Sequence, residues 1–90
     1  MAEPFSLEKL KAELEREIFE GVHIEPDENL FEADLLNSLN LVKLMAALEK
    51  RYQISFLGRE MRIKNFETLR LISNLVEQKI LTRERVRDEF

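Results

Sequence analysis

The chain has 90 residues, with 18 acidic and 14 basic side chains, a net charge of −4, two glycines, two prolines and no cysteine. That length holds one small domain, residues 1–90 with a core at about 5–80 and a charged tail at 81–90, and leaves no room for a large enclosed active site beside a core. Few turn formers exclude a sandwich or barrel, the absence of thiols excludes disulfides and thiolate metal sites, and no apolar run is long enough to span a bilayer.

The first helix is expected after Ser6, a favoured N-cap residue, with Glu8 in its first turn. Leu7, Leu10, Leu14 and Ile18 recur at helical spacing, and Gly21 is the expected stop, which gives a helix over residues 7–20. Val22 to Asn37 is too long for a tight turn. Its Val22, Ile24, Leu30, Phe31, Leu35 and Leu36 predict an ordered loop pinned to the core, with Leu30 and Phe31 as main anchors.

The second helix is expected over residues 38–52. Leu41, Leu44, Met45, Leu48 and Tyr52 form its core stripe. Leu39, Val42 and Ala46 form a narrower column at i, i+3 and i+7, flanked by Lys43. That column is either part of a wide core face or a contact surface for a partner. Ile54, Phe56 and Leu57 read as an extended loop. Gly58 to Ile63 is expected to form one short helical turn with Met61 and Ile63 pointing inward. The last helix follows, capped by Asn65 or Thr68, with Leu69, Ile72, Leu75, Val76 and Ile80 as its stripe. The charged tail either extends that helix or frays. The sum is an all-α protein, a three-to-four-helix bundle with a long loop between helices one and two.

Charge is graded along the chain. Residues 1–37 carry −8, residues 38–64 carry +4 and the remainder balances. The middle segment reads either as ordinary solvated faces or as a basic surface offered to a partner.

No catalytic constellation stands out. His23 is the only histidine and sits in a loop, where it is expected to be solvated. No metal-ligand spacing, phosphate-binding glycine loop or base beside a serine is present, so an enzyme with its own active site is not expected, and neither a nucleic-acid nor a membrane partner. Ser38 sits where loop turns into helix. It serves either as an N-cap or as the anchor for an attached phosphate, which free N–H groups and the helix dipole would favour there.

The segment "LLNSLNLVKLMAALEKRYQISF" resembles the phosphopantetheine attachment segment of acyl and peptidyl carrier proteins. Ser38, Leu39, Leu48-Glu49, Tyr52 and Ile54 follow that family's order. "ENLFEADLL" upstream and "IKNFETLRLISNLVEQ" downstream look like its site loop and last helix. Leu35-Leu36 and Asn65-Phe66 look most like stand-alone carriers, including aminoacyl and D-alanyl carriers.

A cytoplasmic protein is the default expectation from the lack of a spanning run, and a monomer from the lack of a clear association patch; the resemblance implies a non-catalytic carrier with 4′-phosphopantetheine attached at Ser38 and a cargo held as a thioester. It implies as partners a phosphopantetheinyl transferase, an acyl- or aminoacyl-activating ligase, and a downstream transferase or synthase of lipid or secondary metabolism. Leu39, Val42, Lys43 and Ala46 would face those partners. Met45, Ala47, Leu57, Met61 and Ile63 would line a cleft for an apolar cargo, or pack in the core.

Two departures from the family pattern are expected to matter. Asn37 stands where Asp is usual, so a charge beside the transferase's metal ion is missing. An unmodified carrier-fold interaction module is the alternative that this raises. The helix after the serine carries Asn40, Lys43, Lys50 and Arg51 where the family is commonly acidic, which favours a dedicated pathway with partners presenting apolar or acidic patches.

Overall fold

The computed structural model describes residues 5–88, with side chains through residue 83. Three α-helices occur among them: α1 (Leu7–Glu17), α2 (Ser38–Tyr52) and α3 (Leu69–Asp88). Two 3-10 turns, Gly58–Glu60 and Ile63–Phe66, lie between α2 and α3, and there is no strand among the described residues. The expected all-α bundle with a long first loop is the architecture found. Of the charged tail, residues up to Asp88 extend α3, and residues 89–90 lie outside the described range, as do residues 1–4.

Ser6 caps α1: its hydroxyl oxygen accepts the Lys9 N–H at 3.1 Å. Leu10 and Leu14 are buried, and Leu7 and Ile18 pack beside them. The helix ends at Glu17, earlier than Gly21 predicts. On a continued helix, at about 100° per residue, Phe19 would point about 140° away from Leu14. Unwinding instead lets Phe19 enter the core. The Ile18 and Phe19 N–H groups both donate to the Leu14 carbonyl, and Glu20 and Gly21 take positive φ values of 54° and 87°. Gly21 thus completes the turn rather than stopping the helix.

The loop from 22 to 37 is ordered. Its anchors are Ile24, Leu30 and Leu36, all buried, while Phe31 is only half-buried and Val22 is exposed. Phe31 is therefore a lesser anchor than its size predicts. Backbone bonds hold the same three points: Ile24 N–H donates to Glu15 Oε2 (2.8 Å), Leu30 N–H to the Glu67 carbonyl (2.7 Å), and Leu36 N–H to the Leu30 carbonyl (3.0 Å). Asp27 adds a paired contact to α3 through Arg70 Nε (2.8 Å).

On α2, Leu41, Leu44 and Leu48 are buried, with Met45 and Tyr52 packed beside them. On α3, Leu69, Ile72 and Val76 are buried, and the Thr68 hydroxyl accepts the Leu71 N–H at 3.1 Å, which makes Thr68 the start of that helix. Between the helices, Ile54 and Phe56 turn inward, and Phe56 meets Phe66 edge to face at 5.6 Å. Met61 and Ile63 do not join them. Those two side chains instead stand 50% and 54% exposed on the connecting segment, correcting the inward placement.

Candidate functional site: the start of the second helix

Asn37, not Ser38, caps α2. Its side-chain oxygen accepts the N–H groups of Leu39 (2.9 Å) and Asn40 (3.0 Å). Asn40 answers reciprocally, with Oδ1 accepting the Asn37 N–H at 2.8 Å, and its Nδ2 donates to the Leu35 carbonyl at 2.8 Å. The result is a capping box built from two asparagines, stitched to the end of the site loop. Leu41 N–H closes onto the Asn37 carbonyl at 2.9 Å. The backbone donors of the first turn are thereby used, except that of Ser38, so most of the free N–H groups expected there are already satisfied.

Ser38 is the first helical residue. It is exposed, and its hydroxyl makes no hydrogen bond among the described residues. No acidic side chain lies in the first turn of α2. A phosphate ester on this oxygen would meet solvent, the positive end of the helix dipole and the Ser38 N–H, and would displace no existing contact. The residues present therefore fit such a group. No base is hydrogen-bonded to the Ser38 hydroxyl among the described residues.

The second column of α2 is not part of the core. Leu39 is 78% and Val42 61% exposed, and Ala46 is also exposed. At about 100° per residue, Leu39, Val42, Lys43, Ala46 and Lys50 share one face, opposite Leu41, Leu44 and Leu48. The residues named for a cargo cleft differ in exposure. Met45 is half-buried against the core, Leu57 is 47% exposed, and Met61 and Ile63 are exposed as described. Ala47 borders a groove of about 390 Å³ with Glu17, Lys50 and Arg51.

The far end of α2, ~20 Å from Ser38 by the helix rise, is clasped to α1. The Tyr52 hydroxyl donates to the buried Glu13 Oε1 at 2.5 Å, and Arg51 bonds Glu13 and Glu17. Burial, reinforced by the Glu13 carboxylate, pushes the Tyr52 phenol well above its usual range. The bond from Arg51 holds Glu17 below the usual carboxylate range. Sequence reasoning missed this clasp, because a Glu beside Leu14 looks like any solvated helix position. His23 is exposed as expected, lying between Glu15 (3.2 Å) and Glu25 (2.8 Å). No group of three or more His, Cys, Asp or Glu side chains among the described residues could hold a metal ion, and no described helix is long and apolar enough to cross a membrane.

The site is thus an exposed serine hydroxyl at the start of a helix in an all-α bundle. The family model for the phosphopantetheine attachment site matches residues 7–76, from the first turn of α1 into α3, and the chain belongs to that family. Its members are carrier domains with covalently attached 4′-phosphopantetheine. A comparison with curated proteins gives no match.

Proposed function

We propose that the chain is a stand-alone acyl or aminoacyl carrier whose 4′-phosphopantetheine is attached to Ser38. When attached, the arm supplies a terminal thiol on which cargo is held as a thioester. The observation that carries the assignment to Ser38 is the division of labour at the start of α2. Asn37 and Asn40 take the capping role, and the serine hydroxyl is left exposed and unbonded. The absence of cysteine agrees with a reactive sulfur brought in from coenzyme A. The stand-alone reading, and the aminoacyl or D-alanyl subtype within it, rest on Leu35-Leu36 and Asn65-Phe66.

Leu39, Val42, Lys43 and Ala46 form the face read by partners: the phosphopantetheinyl transferase, an activating ligase, and a downstream transferase or synthase. The exposed apolar column and the cationic flank favour a dedicated cytoplasmic pathway over the partners of general fatty-acid synthesis. Asn37 keeps the geometry of the cap without the charge that Asp would place beside the transferase's metal ion, so loading is slower than for an Asp-bearing carrier.

Intact mass after incubation with coenzyme A and a broad-specificity transferase tests this reading. The wild type gains one phosphopantetheine group and Ser38→Ala gains none. Loading that appears only in Asn37→Asp points to an intact site that needs a specialised transferase. No gain in wild type or Asn37→Asp overturns the proposal in favour of an unmodified carrier fold that acts through protein contacts alone.

A further inference from the structure

A group attached at Ser38 can follow α2 along one line. At about 100° per residue, Met45 and Glu49 each lie within about 20° of Ser38 around the helix, ~10 Å and ~16 Å along its axis. Ala47 lies about 180° away, so the groove it borders with Glu17, Lys50 and Arg51 is on the opposite side of α2. A second cavity, of about 230 Å³, is lined by Gln53, Ile54, Ser55, Lys79, Thr82 and Arg83. It begins beyond the end of α2, ~22 Å from Ser38, and has two cations in its wall.

The interior beside the Ser38 line is filled. α2, the connecting segment and α3 contribute to one packed core, in which Leu44, Phe66, Leu69 and Ile72 are fully buried. Phe56 and Phe66 meet edge to face within it at 5.6 Å. Glu49 Oε2 accepts the Phe56 N–H at 2.9 Å, which ties the connecting segment to α2 where that line ends. Glu60 Oε1 accepts the Leu57 N–H and Lys79 Nζ, each at 2.7 Å, which ties the same segment to α3. The apolar side chains of the segment that do not join the core, Leu57, Met61 and Ile63, are about half-exposed.

We propose that this carrier holds its cargo outside the bundle, and that the cargo is a small polar acyl group of the aminoacyl class rather than a long acyl chain. The inference rests on the carrier reading and names its cargo. A long chain enters the bundle only by displacing the Phe56–Phe66 pair or its neighbours, and a close-packed interior resists added volume. Parting the connecting segment from α2 would also take the Glu49 acceptor from the Phe56 N–H. Left outside, the methylenes of such a chain would stay in water. A small polar group keeps its hydration in solvent and needs no room in the core. Selection among cargoes then falls to the enzymes that load and unload the arm, not to a pocket in the carrier.

The test loads the full chain with alanyl- or octanoyl-phosphopantetheine from the corresponding coenzyme A thioesters, using a broad-specificity transferase. Cleavage of each thioester by hydroxylamine is timed against the same thioester on free pantetheine, and amide NMR compares each loaded form with the uncharged holo protein. Both thioesters are expected to react within threefold of the free rate, with the amides of Phe56, Phe66, Leu69 and Ile72 unmoved. Phe56→Ala makes room beside Phe66, so octanoyl cleavage slows more than threefold there while alanyl cleavage does not; Phe56→Leu is the milder variant if a thermal melt shows Phe56→Ala unfolded. The idea is overturned if the wild type protects octanoyl more than threefold, whether in the core or against Leu57, Met61 and Ile63, or if octanoyl moves the four core amides. A folded Phe56 variant that gives octanoyl no protection also overturns it, since the Phe56–Phe66 pair would then not be what keeps the chain out. Loading keeps the two readings apart: a loaded wild type that shelters octanoyl sinks this inference alone, whereas a wild type that accepts no phosphopantetheine, charged or uncharged, sinks the carrier reading.

Discussion

Asn37 and Ser38 are both good helix-capping residues, and only one of them caps. The choice is fixed by Asn40, which bonds back to the Asn37 N–H and across to the Leu35 carbonyl. That register of one residue is invisible in the sequence, where the serine at the junction reads equally well as the cap. Two outcomes follow. Asn37→Ala lowers stability by about 1 kcal/mol, the usual worth of an N-cap. Ser38→Ala leaves stability within about 0.5 kcal/mol, since its hydroxyl bonds nothing and alanine suits a helix. Urea melts of both variants check the pair, and the reverse ranking would return the cap to Ser38. The buried Glu13 behaves differently. Tyr52→Phe removes one donor from a carboxylate that keeps only its contact with Arg51, at a cost of about 1–3 kcal/mol. A melt unchanged by Tyr52→Phe would show that the α1–α2 clasp adds nothing.

Elements with an uninterrupted apolar period are where sequence and structure agree most closely. α2 occupies residues 38–52 as its pattern dictates, because Leu41, Leu44 and Leu48 keep one face over about two turns. The agreement weakens where several apolar side chains compete for the same volume. At the end of α1, burying Phe19 outweighs continuing the helix to Gly21. Between α2 and α3, Ile54, Phe56 and Phe66 fill the core, and Met61 and Ile63 are left outside. Nothing local in "GREMRI" records that outcome, since it depends on two rings that lie outside the stretch and ten residues apart, Phe56 and Phe66. The first loop illustrates the same point. Leu30 is enclosed and bonded through its backbone to Glu67, whereas the larger Phe31 is half-buried. Leu30→Ala should therefore destabilise by about 2–5 kcal/mol, and Phe31→Ala by less. Equal losses in chemical denaturation would mean that the loop is anchored by bulk alone.

For the whole molecule, charge links stability to function. Several of the carboxylates that tie the elements together titrate below their ordinary values. Glu15 is lowered first by the Ile24 N–H and then by Lys11, Glu17 by Arg51, and Asp27 by Arg70. For Glu60, partial burial opposes ionisation, but the bonds from Lys79 and the Leu57 N–H outweigh it and the net shift is downward. A carboxylate whose pKa is depressed on folding contributes stability that is fully present above its unfolded value, 4.5 for Glu and 3.8 for Asp, and is lost as pH falls through the folded value. The melting temperature should thus hold steady from pH 7 to about 5 and fall progressively below about 4.5. A melting temperature that rises on acidification would contradict the assignment of these pairs. The cations of residues 38–64 other than Arg51 make no ion pair among the described residues, and two of them, Lys43 and Lys50, flank the apolar column of α2.

The proposed attachment of the arm turns on one oxygen atom, that of Ser38, and the lack of cysteine makes that atom testable with little background. The decisive measurement is the thiol content of the purified chain, titrated with a chromogenic thiol reagent before and after treatment with coenzyme A and transferase, in wild type and Ser38→Ala. The account predicts no thiol in either untreated apo protein, one per chain in treated wild type and none in treated Ser38→Ala. A thiol that appears equally in Ser38→Ala, or that never appears in wild type, would contradict Ser38 as the attachment point.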